Sequence, residues 1–215
     1  MGFFYLIFIL DKNILNDNIS CGFYQNKDDI LSFLINNPFW LSGFVCGEGC
    51  FTAYLSLDLK SLWGLQPGLD FNITQSTNDK ILLEAINNYF NNKGGVYDKS
   101  NNVSVIAFRN VIVLKELIVP FFNKYPLIGM KSYEYEKWIK LVDLYYNKKH
   151  TGKDINTKSY ILIFAEITKE LNSKRFNKKK LERLDIIIDW LNSLNSFPTK
   201  EEKLVLFNLV NNNKL

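Results

Sequence analysis

The sequence predicts an α+β fold whose elements run αββαββα, and three observations carry that order. An Asn36-Asn37-Pro38 start precedes a short apolar helix. At Cys50 the apolar spacing changes from helical to alternating. A second helix and a second pair of alternating runs follow, and a further apolar helix closes the set.

Taken in order, Pro38 loses nothing by lacking an N–H in a first helical turn, so Asn37 is expected to cap a helix from Phe39 to about Glu48, with Gly49 closing it. Phe51, Ala53, Leu55, Leu57 and Leu59 then alternate with Thr52, Tyr54, Ser56, Asp58 and Lys60, the pattern of a half-buried strand with one polar face. Gly64, Pro67 and Gly68 read as a loop before a second strand over 69–75, with Phe71 and Ile73 inward. Thr77 is expected to cap a helix over 78–90, whose stripe is Ile81, Leu82, Ala85, Ile86 and Tyr89, and Gly94-Gly95 ends it. Strands over 96–99 and 103–108 flank an Asn101-Asn102 turn, and an apolar helix follows over 111–122. Helical spacing returns over 133–146, 155–171, 178–194 and 200–209. The chain therefore divides into an apolar segment and linker-like arm over 1–37, in which Ile30–Ile35 reads as a helical turn or two, a domain over 38–175 and a helical extension over 176–215.

Composition narrows the chemistry. With 47% hydrophobic and 22% charged residues, the chain can bury a sizeable core. Its net charge of +4 is unevenly spread: residues 1–110 carry seven basic and ten acidic groups, residues 111–215 nineteen and twelve. The basic second half, densest in the KRFNKKK run over 174–180, fits a polyanionic partner or an ordinary solvated helix surface. His150 is the only histidine, which excludes His-dependent triads, HNH and His-Cys-box nucleases and His-ligated zinc. Chemistry must come from carboxylates, lysines, hydroxyls and metal-bound water. Cys21, Cys46 and Cys50 are too few for a disulfide framework and point to a reducing compartment. The apolar start MGFFYLIFIL is too short to span a bilayer, so no membrane partner is expected. Enrichment in Asn, Lys, Ile and Tyr, residues with A/T-rich codons, points to a mitochondrial coding origin.

The first helix is unusual. Gly43 and Gly47 lie four apart with Ser42 and Cys46 beside them, giving a face of little bulk that another helix can approach closely. Each helical glycine costs ~1 kcal/mol against alanine, so a packing reason is expected. Glu48 falls at the helix C-terminus, where the macrodipole disfavours an anion unless a cation is bound there. Spacing alone describes an exposed glutamate equally well.

Leu41-Ser42-Gly43-Phe44-Val45-Cys46-Gly47-Glu48-Gly49, followed by Cys50-Phe51, resembles the motif of the LAGLIDADG homing endonucleases. The resemblance extends over about 38–175 through Phe71-Asn72-Ile73-Thr74-Gln75, Gly94-Gly95, the block from Pro120-Phe121-Phe122 to Tyr125-Pro126-Leu127, and Lys131. It implies a concave four-stranded antiparallel sheet that saddles duplex DNA, and motif helices that pair, two per active unit. It further implies a site-specific, Mg²⁺-dependent (or other divalent-cation-dependent) cleavage of both DNA strands. By position, Glu48 becomes the metal-binding acid, the Gly47 carbonyl a second ligand, and Gln75 and Lys131 the groups around the reacting phosphate. Cys46 stands where the motif carries its first acid. Thr52, Tyr54, Ser56, Asp58, Lys60, Asp70, Asn72 and Thr74 become candidate base readers, and Lys99 and Arg109 candidate backbone contacts. Ser42, Gly43, Cys46 and Gly47 become the pairing face, toward a second copy or an N-terminal LAGLIDADG half. Two alternatives share the fold: an intron-RNA maturase, and an inactive DNA-binding protein, which Asp58, Asp70 and Asp98 on or near the DNA face would suit.

Overall fold

The computed structural model describes residues 26–147, 156–172 and 178–212. The first ten residues, Cys21, His150 and the part of the basic run before Lys178 lie outside them. The order is α1 (Lys27–Asn36), α2 (Pro38–Glu48), β1 (Gly49–Leu57), β2 (Leu65–Ser76), α3 (Lys80–Tyr89), β3 (Gly95–Lys99), β4 (Val103–Phe108) and α4 (111–124). The remaining helices are α5 (Met130–Tyr146), α6 (Thr157–Asn172), α7 (Lys178–Ser193) and α8 (Lys200–Asn212). From α2 to α4 this is αββαββα, as the spacing predicts.

The sheet is antiparallel in the order β1-β2-β4-β3. Phe51 and Phe71 stack at 5.1 Å on its inner face, with Phe122, Tyr135 and Trp138 against Phe51. This aromatic centre is continuous with the buried faces of the helices, from Ile30 and Leu34 to Leu206 and Val210.

Several local expectations are corrected. The arm before Pro38 is helical over Lys27–Asn36, more than the turn or two expected over 30–35. Asn26 caps α1 by accepting from the Asp29 N–H, and Ile30 and Leu34 are buried where α1 meets α3. Asn37 does not cap α2 with its side chain; its amide donates back to the Phe33 carbonyl at 3.0 Å, closing α1. The two helices meet there at 104°. Ser76, not Thr77, caps the turn before α3, accepting from the Asn78 N–H. The strand β1 stops at Leu57, and Asp58 and Lys60 lie in the turn beyond it, the Asp58 carboxylate accepting from the Lys60 N–H.

The strand β2 starts at Leu65 and runs through Pro67 and Gly68, which pair in register with Leu55 and Tyr54. Because β4 pairs only with Phe71 to Ser76, β2 has a single neighbour over 65–70, where a strand tolerates proline. The helix α4 widens to a π turn over Leu114–Ile118, with the Val119 N–H bonding the Leu114 carbonyl, just before Pro120, which has no N–H to give. Gly129, at φ 63°, lets α5 begin at Met130, earlier than expected. Among the described residues no single helix is long and apolar enough to cross a membrane.

Candidate active site and nucleic-acid interface

The helix α2 separates two faces. Leu41, Ser42, Phe44 and Val45 are buried in the chain, while Phe39, Gly43 and Gly47, spaced by four, are exposed. A Cβ built on Gly43 meets nothing within 4 Å. Phe39 (64% exposed), Ile128 (74%) and Met130 (56%) are further exposed apolar side chains, and the Cys46 thiol faces the Ile128 carbonyl at 3.9 Å. Ser42 does not belong to this face. It is 2% exposed, and its hydroxyl donates to the Tyr125 carbonyl at 2.7 Å, because one residue of helix turns it about 100° away from Gly43.

The helix passes directly into β1 at Gly49, with φ −78°, so this glycine is not a left-handed terminator. It is required by closeness instead. A Cβ there would lie 2.5 Å from Val45 Cγ1 and 2.7 Å from the Val45 carbonyl oxygen. Glu48 is thereby fixed at the junction, partly exposed.

Lys131 arrives from α5. Its ammonium donates to the Gly49 carbonyl at 2.7 Å and lies 3.2 Å from the Glu134 carboxylate, with the lysine side chain 12% exposed. A cation thus stands one residue past the end of α2, where the helix dipole is negative. Gly49 pairs with Ile73, so the α2–β1 junction that carries Glu48 lies at the end of β2 that holds Thr74 and Gln75. The Gln75 side-chain oxygen accepts from the Ser76 N–H at 3.2 Å. Glu48, Gln75 and Lys131 are therefore brought to one end of the sheet. Among the described residues no three His, Cys, Asp or Glu side chains converge as a metal site, so Glu48 and the Gly47 carbonyl fit only part of a divalent-cation site. Glu134 is an addition that the sequence did not single out; its spacing of three from Lys131 on one helix was the available signal.

The outer face of the sheet holds most of the expected polar residues. The register pairs Thr52 of β1 with Asp70 of β2, Tyr54 with Gly68 and Ser56 with Gln66; Asn72 and Thr74 lie further along β2 on the same face, beside Ala107 and Val105 of β4, with Tyr97 and Lys99 of β3 beyond Val105 and Val103. Gly68 makes room for the Tyr54 ring, which lies 2.3 Å from where a Cβ would stand. Burial, then the nearby Asp70 carboxylate, raises the Tyr54 hydroxyl pKa. The Ser56 hydroxyl donates to the Gln66 carbonyl at 3.0 Å. Asn72 and Thr74 make no side-chain hydrogen bond among the described residues.

Two assignments change. Asp98 does not lie on the outer face: its carboxylate accepts from Lys80 of α3 at 2.9 Å and from Ser104 at 2.7 Å, and these bonds lower its pKa. Arg109 is not a free cation. Its Nε donates to Asp70 at 3.2 Å and an Nη to the Tyr97 hydroxyl at 2.9 Å. Nothing in the sequence had singled out Tyr97, although it sits two residues from Lys99 and therefore on the same face.

Together the fold and the placing of these residues define the homing-endonuclease fold. Residues 41–142 match the model of the LAGLIDADG endonuclease family. It is 36% identical over 128 residues to probable intron-encoded endonuclease 3 of Neurospora crassa, covering 59% of this chain and 24% of that protein. The chain spans about a quarter of the length of the first curated relatives it matches, at 24%, 26% and 24%. Among solved structures it resembles the homing endonuclease I-TnaI, with 28% identity and a TM-score of 0.62 over 72% of this chain and 97% of that one. It also resembles I-LtrWI bound to target DNA, with 30% identity and a TM-score of 0.59 over 78% of this chain and 54% of that one.

Proposed function

We propose that this chain is a site-specific double-stranded DNA endonuclease that depends on Mg²⁺ or another divalent cation and works as one half of a paired-helix active unit. The observation that carries this reading is the convergence of Glu48, Gln75 and Lys131 at the end of a helix whose opposite face is small, apolar and exposed. The similarity to I-LtrWI, solved bound to target DNA, supports DNA as the partner, and the polar outer face of the sheet is the surface we assign to it.

One chain offers one motif-helix carboxylate, Glu48, and a second motif helix against Phe39, Gly43 and Gly47 would bring another beside it. That helix belongs to a second copy or to an N-terminal LAGLIDADG half; coverage of 97% of one relative but 54% of another fits one unit of either arrangement. Glu48 and the Gly47 carbonyl would hold the cation, which when bound supplies Lewis acidity and neutralises charge at the phosphodiester. Lys131 holds its ammonium at the same junction, where it can face a reacting phosphate, and Glu134 and the Gly49 carbonyl fix its direction. Gln75 offers an amide to orient water. The intron-encoded relatives and the A/T-biased composition support a mitochondrial coding origin.

A randomised duplex library incubated with the protein and Mg²⁺, followed by sequencing of cut ends, tests the reading. Staggered double-strand breaks at one long site are expected, falling about 100-fold or more in Glu48→Gln while binding persists. No metal-dependent cleavage by a folded, paired wild type would refute it. Retained binding to the host intron RNA would then favour the maturase alternative, and duplex binding alone the inactive one.

A further inference from the structure

Residue Arg109 follows β4, and its environment is set by two neighbouring strands. Phe71 pairs with Phe108, so Asp70 and Arg109 stand next in register and meet on the outer face. The guanidinium donates through Nε to Asp70 at 3.2 Å and through Nη2 to the Tyr97 hydroxyl at 2.9 Å, with its central carbon 5.6 Å from the Tyr97 ring centre. Its side chain is nevertheless 57% exposed, while that of Asp70 beneath it is 16% exposed. Nη1 makes no hydrogen bond among the described residues.

We infer that Arg109 reads a guanine from a fixed position in the sheet, with Asp70 and Tyr97 as its positioning residues, rather than acting as a phosphate contact. This rests on the reading of the outer face as a duplex-binding surface.

Charge and geometry both carry the inference. A phosphate clamp draws its strength from unbalanced positive charge, and Asp70 balances that of Arg109 while adding an anion that a phosphate would have to approach. What the ion pair leaves is direction. Two of the guanidinium nitrogens are tied across the sheet, to Asp70 and to Tyr97, and the remaining donors form a fork of fixed orientation. Guanine presents two adjacent acceptors, O6 and N7, in the major groove, which match two such donors. Adenine replaces one acceptor with an amino donor, and cytosine presents a donor, so each leaves the fork half-matched. Burial raises the pKa of Asp70 while Arg109, and more weakly Lys99, lower it, which agrees with a carboxylate committed to the arginine rather than to solvent.

The test is a binding selection from a randomised duplex library in calcium, run on the wild type, Arg109→Ala, Arg109→Lys, Asp70→Asn and Tyr97→Phe. The wild type is expected to select a site with a guanine at one fixed position. Arg109→Ala and Arg109→Lys should lose that preference by roughly tenfold or more while preferences elsewhere stay. Tyr97→Phe should weaken it at the same position only, and Asp70→Asn should weaken it while raising binding to all sequences. A merely structural role would not confine the change to one base pair, and Tyr97→Phe, which keeps the ring, guards against loss of folding. If Arg109→Ala instead weakens every sequence alike and lowers the salt slope by about one, the residue is a phosphate contact and the inference falls. A wild type that selects a site without such a guanine also overturns it. A wild type that selects no duplex overturns the nucleic-acid reading itself.

Discussion

At the β1 margin of the sheet the chain is fixed by side chains from far along the sequence, several of them buried, whereas at the β3 margin it is fixed by a few polar contacts with neighbouring elements. Trp63, in the loop between β1 and β2, is 1% exposed; its indole N–H donates to Thr157 of α6 at 2.8 Å, and its ring meets Phe197 at 4.8 Å. Lys203 of α8 donates to the Ser61 carbonyl at 2.8 Å in the same loop. Trp138 of α5 donates to the Thr52 carbonyl at 3.3 Å, and Arg183 of α7 reaches the Leu55 carbonyl, whose register partner Pro67 has no N–H. At the other margin, β3 is five residues long and is held by the Lys80–Asp98–Ser104 bonds on one face and by Arg109 on the other. The contrast teaches what the C-terminal helices do. They belong to the core and fasten the loop that carries Lys60, while the β3 margin gains its order from polar contacts on both faces, Lys80, Asp98 and Ser104 on one and Arg109 with Tyr97 on the other.

The largest effect on stability should therefore lie at β1. Trp63→Ala is expected to cost about 3–5 kcal/mol in denaturant unfolding, the usual cost of emptying a buried tryptophan site. Tyr97→Ala, which removes an exposed-face contact, should cost no more than about 1 kcal/mol. Equal losses would break the comparison.

A smaller effect should follow Lys203→Met, which removes the donor to Ser61 but keeps the stem against Gly64. A loss of about 1 kcal/mol is expected, with faster amide exchange at 58–64 and little change in β3. Exchange that rises equally at both margins would mean that the loop is not separately fastened.

The two aspartates should respond to pH with opposite sign. The carboxyl of Asp98 is held below its ordinary 3.8 by Lys80 and Ser104, so its stabilisation is present above that value and lost as pH falls through the folded one. The carboxyl of Asp70 is raised above 3.8 by burial, so its contribution is present below that value and lost as pH rises through the folded one. In unfolding measured from acid to neutral pH, Asp98→Asn should fall behind the wild type toward neutrality, while Asp70→Asn should gain on it. Parallel curves would contradict the placing of the two carboxylates on opposite faces.

The αββαββα order was legible because apolar spacing of three to four and of two is local information. Contacts that depend on register or distance were not. Pro67 and Gly68 read as a loop because the sequence does not reveal that β2 has one neighbour there. Ser42 read as part of the pairing face because it is small, yet helix rotation turns it into the core. Asp98 read as facing DNA before the pairing with Ser104 fixed its side of the sheet. Glu48 and Lys131 were assigned through the family resemblance, since 82 residues separate Lys131 from the Gly49 carbonyl it touches. The helix over 27–36 was legible only as a turn or two over 30–35, because its polar exposed face resembles a linker, with only Ile30 and Leu34 buried.

The most direct test of a half-site that needs a partner helix is sedimentation of the wild type and Gly43→Leu at micromolar concentration. A Cβ at Gly43 meets nothing within 4 Å in the chain, so the variant should keep its fold and its melting transition. A dimeric wild type and a monomeric, folded Gly43→Leu that no longer cuts DNA are predicted. A wild type that cuts both strands while remaining monomeric, with Gly43→Leu behaving identically, would contradict pairing through this face.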